Sequence, residues 1–217
     1  MTGDVGPRAV IFDWDGTLVD SLPEIFRANV EVLREYEVPF DEDRYRAAYV
    51  PDWRLMYQRL GVPPEHLDAA GLRWRELYAS APMPSPFDGV HAALERLSEA
   101  GYVMGLVTAG DRDVVEGQLD RLGLATLISV RVCGSDDIAS KPHPDPLLLA
   151  LSDLGLRGRA ADAAYVGDAP DDMRMARAVG TRAVGIESTL GTRADLLAAG
   201  ADEVSTSVPD WVDGFLP

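Results

Sequence analysis

Near the start of the chain an apolar run ends in two acids two residues apart: Ala9-Val10-Ile11-Phe12 is followed by Asp13-Trp14-Asp15-Gly16-Thr17. A short apolar run of this kind reads as a buried strand. In open parallel sheets, ligands gather outside the carboxyl ends of the strands. Period-2 spacing points both carboxylates the same way from an extended chain, and Gly16 eases the turn that must follow. Two carboxylates held together call for a divalent cation, or else for a proton. Asp, Gly and Thr also build turns and cap helices, so this segment has to be weighed with the others.

Three further segments carry complementary groups. Thr108 follows the apolar stretch Tyr102–Val107 and precedes Ala109-Gly110 and a helix start. A hydroxyl and free helix-start amides there suit an anion. Lys141 stands in Ser140-Lys141-Pro142-His143-Pro144, a loop stiffened by proline ahead of another helix. Ala163-Ala164-Tyr165-Val166 runs into Gly167-Asp168-Ala169-Pro170-Asp171-Asp172. Singly these are a capping threonine, a solvated lysine and acids at a helix start. Together, carboxylates from two strand ends, a hydroxyl from a third and an ammonium from a loop neutralise a phosphate and chelate a metal.

The elements that must position these groups alternate along the chain. Strands are expected at 9–12, 102–107, 129–133, 163–166, 182–186 and around Val204. Helices are expected at 90–101, 111–122, 144–154, 170–179 and 192–199. That alternation predicts an α/β fold, a Rossmann-like parallel sheet with helices on both faces. Between the first two strands, Leu22 to Ala81 is rich in helical spacing (Ile25, Val32 and Leu33; Leu55, Tyr57 and Leu60) and ends in a proline-rich connector, Pro82 to Pro86. The expected organisation is a core of residues 1–19 and 86–217 with an inserted all-α cap domain, 20–85. The cap emerges over the edge that carries Asp13 and Asp15, where it can close over a small ligand.

Composition sets limits. The chain has 217 residues, 47% hydrophobic and 26% charged, with 20 Lys plus Arg against 36 Asp plus Glu, a net charge of −16. That balance argues against nucleic acid and anionic membranes as partners. No apolar run approaches the length of a membrane span, and Met1-Thr2-Gly3-Asp4 lacks the basic start of a signal peptide. Cys133 is the single cysteine and is expected to be a buried structural thiol. The expectation is a cytoplasmic protein, monomeric or homodimeric.

Asp13-x-Asp15-Gly16-Thr17, Thr108, Lys141 and Gly167-Asp168-x-x-x-Asp172, in that order, resemble the four motifs of the haloacid dehalogenase superfamily. Val19-Asp20-Ser21 and the segment Thr192 to Asp202 resemble its phosphoglycolate phosphatase-like branch with a helical cap. The resemblance implies a Mg²⁺-dependent phosphatase that hydrolyses a small-metabolite phosphomonoester through an aspartyl-phosphate. It implies Asp13 as nucleophile and Asp15 as general acid and base. Asp13, the Asp15 backbone carbonyl, Asp168 and Asp172 become the Mg²⁺ ligands, while Thr108, Ala109 and Lys141 become the phosphate contacts. In the cap, Trp53, Arg54, Tyr57 and Arg59 are candidates to face the site, with Arg54 chosen for the leaving group. A sugar-phosphate mutase shares every core motif and stands as the alternative. A non-catalytic phospho-receiver module is disfavoured, since its phosphorylated Asp is expected mid-chain and without a cap.

Overall fold

The computed structural model describes residues 8–216. The N-terminal residues read for a signal peptide lie outside them. Six strands form one sheet: β1 (Arg8–Phe12), β2 (Tyr102–Val107), β3 (Val130–Val132), β4 (Ala163–Gly167), β5 (Arg182–Ile186) and β6 (Glu203–Ser205). Every pairing is parallel and the order is β3-β2-β1-β4-β5-β6. The order reverses beside β1, so a crevice opens between the carboxyl ends of β1 and β4. Asp13 follows β1 directly and Asp168 follows β4 directly.

Strand alternation divides the core. Val10 and Phe12 face one side of the sheet, under α5 (Val90–Glu99), α6 (Arg112–Arg121) and α10 (Val208–Phe215). Ala9 and Ile11 face the other, under α7 (Asp145–Asp153), α8 (Pro170–Val179) and α9 (Arg193–Ala199). Cys133 is buried within the first layer, and burial pushes its thiol up to about 11, which keeps it protonated. Helix α10 extends the expected pattern, which ended near Val204. It buries Val208, Trp211 and Val212. Its sequence signal is Ser207, whose side chain accepts from Asp210 N to cap the helix, followed by proline in the first turn.

Between β1 and β2 stand α1 (Leu22–Glu35), α2 (Glu42–Ala48), α3 (Trp53–Leu60) and α4 (Leu67–Ser80). They share a separate core that includes Val32, Leu33, Tyr57, Leu60 and Ala70 and touches the sheet domain through Ala169 and Leu190. In α3 the packed face is Met56, Tyr57 and Leu60, and Leu55 is exposed. The expected pairing of Leu55 with Tyr57 and Leu60 is off by one position, because residues 56, 57 and 60 share a helix face and 55 does not. The chain enters and leaves this helical unit side by side. Asp20 N donates to Ser85 O and Phe87 N to Leu18 O, beside an antiparallel bridge between Val19 and Pro86.

Candidate active site

The turn after β1 is set by its own backbone. Asp13 N continues the sheet ladder to Val166 O at 2.8 Å, and the amides of Leu18 and Val19 then return to Trp14 O. Gly16 sits at φ +76°, and a Cβ there would collide with Asp168 Oδ2 and press on Leu22. Gly16→Ala is therefore expected to destabilise the fold by at least about 1–2 kcal/mol from the left-handed backbone alone, read as a lower denaturant midpoint. It would also displace Asp168. Trp14 is fully buried, and its indole N–H donates to Gln118 Oε1 at 2.6 Å. The bulky middle residue of the motif is thus absorbed by the core.

Three of the predicted groups meet within hydrogen-bonding reach. Lys141 Nζ lies 2.9 Å from Asp13 Oδ1 and 2.8 Å from Asp172 Oδ1, and all three side chains are buried. Burial works against the Lys141 charge, but the Asp13 and Asp172 carboxylates outweigh it and its pKa is raised. Asp172 Oδ2 also accepts from Ala169 N, which ties it to the start of α8. Ligand atoms of Asp13, Asp168 and Asp172 all lie within 4.8 Å of one another. The Asp168 carboxylate accepts only a long bond from Thr17 Oγ1 at 3.4 Å, and its Oδ2 is buried with no partner.

This orphaned oxygen tests the fit of a metal. A buried carboxylate without a donor is costly, and three carboxylates against one ammonium leave a net negative site. Oxygen ligands grouped this way match a hard divalent cation. Without one, protons must serve. Burial raises Asp13 to about 7, with Asp172 and Asp15 adding to the rise against Lys141. Burial, then Asp13 and Asp172, raise Asp168 as well. These folded-state acids hold protons that the unfolded chain releases above about pH 4. The metal-free protein is thus expected to lose stability as pH climbs from about 4 to about 7. Asp168→Asn should remove part of that penalty and raise the metal-free melting temperature by about 2–4 °C per kcal/mol recovered. It should also erase the stabilisation that added Mg²⁺ confers on the wild type. A variant with an undiminished Mg²⁺-dependent rise in Tm would contradict the assignment.

Asp15 stands apart from this cluster. Ser21 Oγ donates to its Oδ1 at 2.6 Å, it lines the large cavity under the helical unit, and burial raises its pKa. Thr108 is buried and its Oγ1 accepts from Gly110 N at 3.0 Å, so its hydroxyl proton is available to a bound anion. Thr108, Ala109 and Lys141 line a small cavity of about 190 Å³ that adjoins a larger one of about 590 Å³. Trp53 and Ala109 line both.

Arg54 is not brought to the site. It is exposed, it pairs with Asp68 at 2.5 Å and its guanidinium covers the outer ring of Trp53. Arg59 is likewise exposed and absent from the cavity walls, whereas Trp53 and Tyr57 form part of them. The arginine of the helical unit that does reach the rim is Arg75, on α4, facing Asp111 at 3.9 Å. His143 is exposed beside Asp145, and Asp171 pairs with Arg174 at 2.5 Å. One contributor was not anticipated: Tyr165 in β4, whose hydroxyl reaches both Asp172 Oδ1 and Val107 O at 3.0 Å. A phenol inside an otherwise apolar buried strand was its signal, since a buried hydroxyl needs a partner.

The family described as haloacid dehalogenase-like hydrolase matches residues 10–186. A phosphoglycolate phosphatase of Xanthomonas campestris pv. campestris (strain 8004) is 34% identical over 209 residues, covering 88% of this chain and 91% of the relative. The N-acetylmuramic acid 6-phosphate phosphatase of Pseudomonas aeruginosa is 31% identical over 186 residues, covering 82% and 81%. A haloacid dehalogenase-like structure from Bacteroides fragilis superposes with a TM-score of 0.86 at 20% identity, covering 95% of this chain and 100% of that one. The last speaks to fold alone. No helix among the described residues is long and apolar enough to cross a membrane.

Proposed function

The chain belongs to the haloacid dehalogenase-like hydrolases, as a phosphoric monoester hydrolase, and from that premise we propose that it cleaves a small-metabolite phosphomonoester by way of a phosphorylated Asp13. The observation that carries this reading is the buried Asp13–Lys141–Asp172 array beside an unpartnered Asp168 oxygen at the sheet's switch point. Asp13, Asp168 and Asp172, with the Asp15 backbone carbonyl, are the residues that would hold Mg²⁺. When bound, the ion supplies positive charge against the phosphoryl oxygens and the attacking carboxylate.

The remaining steps fall to the chain's own groups. Lys141 favours the ionised form of Asp13 against burial and aims it, since its ammonium already touches Oδ1. The other Asp13 oxygen attacks phosphorus and the P–O bond to the leaving group breaks. Covalent capture divides one difficult hydrolysis into two easier displacements. Asp15 gives its proton to the departing alkoxide, a role suited to a carboxyl whose pKa burial raises. Ser21 fixes that carboxyl's orientation. In the second displacement Asp15 takes a proton from the attacking water, and Asp13 is released with inorganic phosphate. Thr108 and the adjoining amides hold the phosphoryl oxygens in the small cavity.

Phosphoglycolate and N-acetylmuramic acid 6-phosphate are the substrates in the names of two relatives, and both belong in the test panel. The helical unit, residues 20–85, is proposed as the cap that covers the leaving group. Phosphate release from a panel of phosphorylated metabolites is expected with Mg²⁺, to stop on chelation and to return with added Mg²⁺. Absence of release from every member would overturn the reading.

A further inference from the structure

The large cavity carries a second layer of information, about the part of the substrate that leaves. At about 590 Å³ it falls in the range of about 300–1,000 Å³ usual for sites that bury whole drug-sized ligands. A glycolate fragment, one methylene and a carboxylate, fills a small corner of it. The walls contributed by the helical unit include the rings of Tyr49, Trp53, Trp74 and Tyr78. Trp74 and Tyr78, both in that lining, stack on each other at 4.8 Å and 11°. The charged lining is net acidic: Asp15, Asp111 and Asp113 against Arg75 and Arg121. Both arginines are exposed at the rim, and Arg75 already faces Asp111. A carboxylated leaving group would therefore enter a cavity that offers it no buried cation.

One polar group in this aromatic wall is unpartnered. Asn29, on α1, is 1% exposed and lines the cavity. Its Oδ1 accepts from the Tyr57 hydroxyl at 2.8 Å, which fixes the amide, and its Nδ2 is buried without an acceptor. An unpartnered amide donor, held by a neighbouring phenol on a residue that lines an aromatic cavity, is suited to meet an oxygen or ring nitrogen on a bound molecule.

We propose that the leaving group is a neutral, flat-faced, ring-bearing alcohol, a pyranose or a nucleoside, stacked against the aromatic wall and hydrogen-bonded by Asn29. This rests on the phosphatase reading above and narrows its substrate class. Aromatic faces serve both ring types by stacking, and Asn29 supplies the one directional contact.

The test compares kcat/KM with Mg²⁺ for glucose 6-phosphate, adenosine 5′-monophosphate and phosphoglycolate, with p-nitrophenyl phosphate as a reference for the chemistry. At least one of the two ring-bearing esters is expected to exceed phosphoglycolate tenfold or more, and which one does so separates pyranose from nucleoside. Asn29→Leu should reduce that preference about tenfold, through KM, the scale of one lost hydrogen bond. Asn29→Ser, which keeps a hydroxyl for Tyr57, provides a milder variant should the leucine not fold, and should shift the preference the same way. Preference for phosphoglycolate, or equal loss on every ester in the Asn29 variants, would overturn this inference and leave the phosphatase reading standing. No release from any ester, p-nitrophenyl phosphate included, would overturn both.

Discussion

Asp13→Asn is expected to lower kcat by about 10⁴-fold or more, the scale seen when a covalent nucleophile is removed. The amide has the volume of the carboxylate but lacks its charge and nucleophilicity, so no phosphorylated intermediate can form. The fold should persist. Asp13 sits at the end of β1, its own backbone amide continues the ladder to Val166, and Asp172 remains as a partner for Lys141 at 2.8 Å. Removing one acid from a site that is net acidic should even relieve repulsion in the metal-free protein. The measurement is phosphate release under saturating substrate, with a circular dichroism melt alongside. A variant that keeps the wild-type rate would remove Asp13 from the chemistry, and the assignment of the site with it.

Lys141→Ala should cost both activity and stability. The ammonium is buried between two carboxylates, 2.9 Å from Asp13 and 2.8 Å from Asp172. Truncating it leaves those charges facing each other beside Asp168 in a site without solvent. Breaking a buried pair in this way costs about 3–5 kcal/mol. For a chain of this size that corresponds to a fall in Tm of about 2–4 °C for each kcal/mol. Turnover should fall further than stability explains, because the group that favours ionised Asp13 is gone. Lys141→Met separates the effects: it restores the packing of the aliphatic stem but not the charge, so it should recover some Tm and no activity. Recovery of activity in the methionine variant would show that Lys141 acts by packing alone.

The metal-free instability argued for Asp13 and Asp168 offers an independent check on the same cluster. Mg²⁺ should raise Tm more at pH 7 than at pH 5, because at pH 5 the folded acids still hold protons that the metal has to displace. The opposite trend would mean that these carboxylates are not the metal's ligands.

How far these residues could be read beforehand depended on whether their signals were local. Asp13, Thr108, Lys141 and Asp168 each follow an apolar run or precede a helix start, so strand alternation was enough to gather them at one sheet edge. The parallel order and the two faces of the core follow from the same periodicity, because each βαβ crossover has one favoured hand. Helix α10 was missed although its Ser207 cap was present. Leu55 was placed on the wrong face, since an eight-residue helix offers too few turns to fix its phase.

The choice of Arg54, with Arg75 not among the candidates, shows where reading along the chain ends. Both are arginines on helices of the same unit, and nothing within a few residues of either distinguishes them. Which one reaches the cavity depends on how α3 and α4 pack: Gly71 has no side chain, and the Trp53 ring lies in the space a Cβ would occupy. That packing leaves Arg54 over the Trp53 ring, paired with Asp68. The sequence by itself determined the order of the strands' chemical groups and the presence of a helical insertion, because alternation, caps and glycine turns are written within a few residues. Only the tertiary structure decided that Asp168 keeps an unpartnered oxygen, that Tyr165 joins Asp172, and that Asn29 lines a cavity walled by aromatic rings. Those outcomes depend on contacts between residues far apart in the chain, whose geometry is set when helices and sheet pack together.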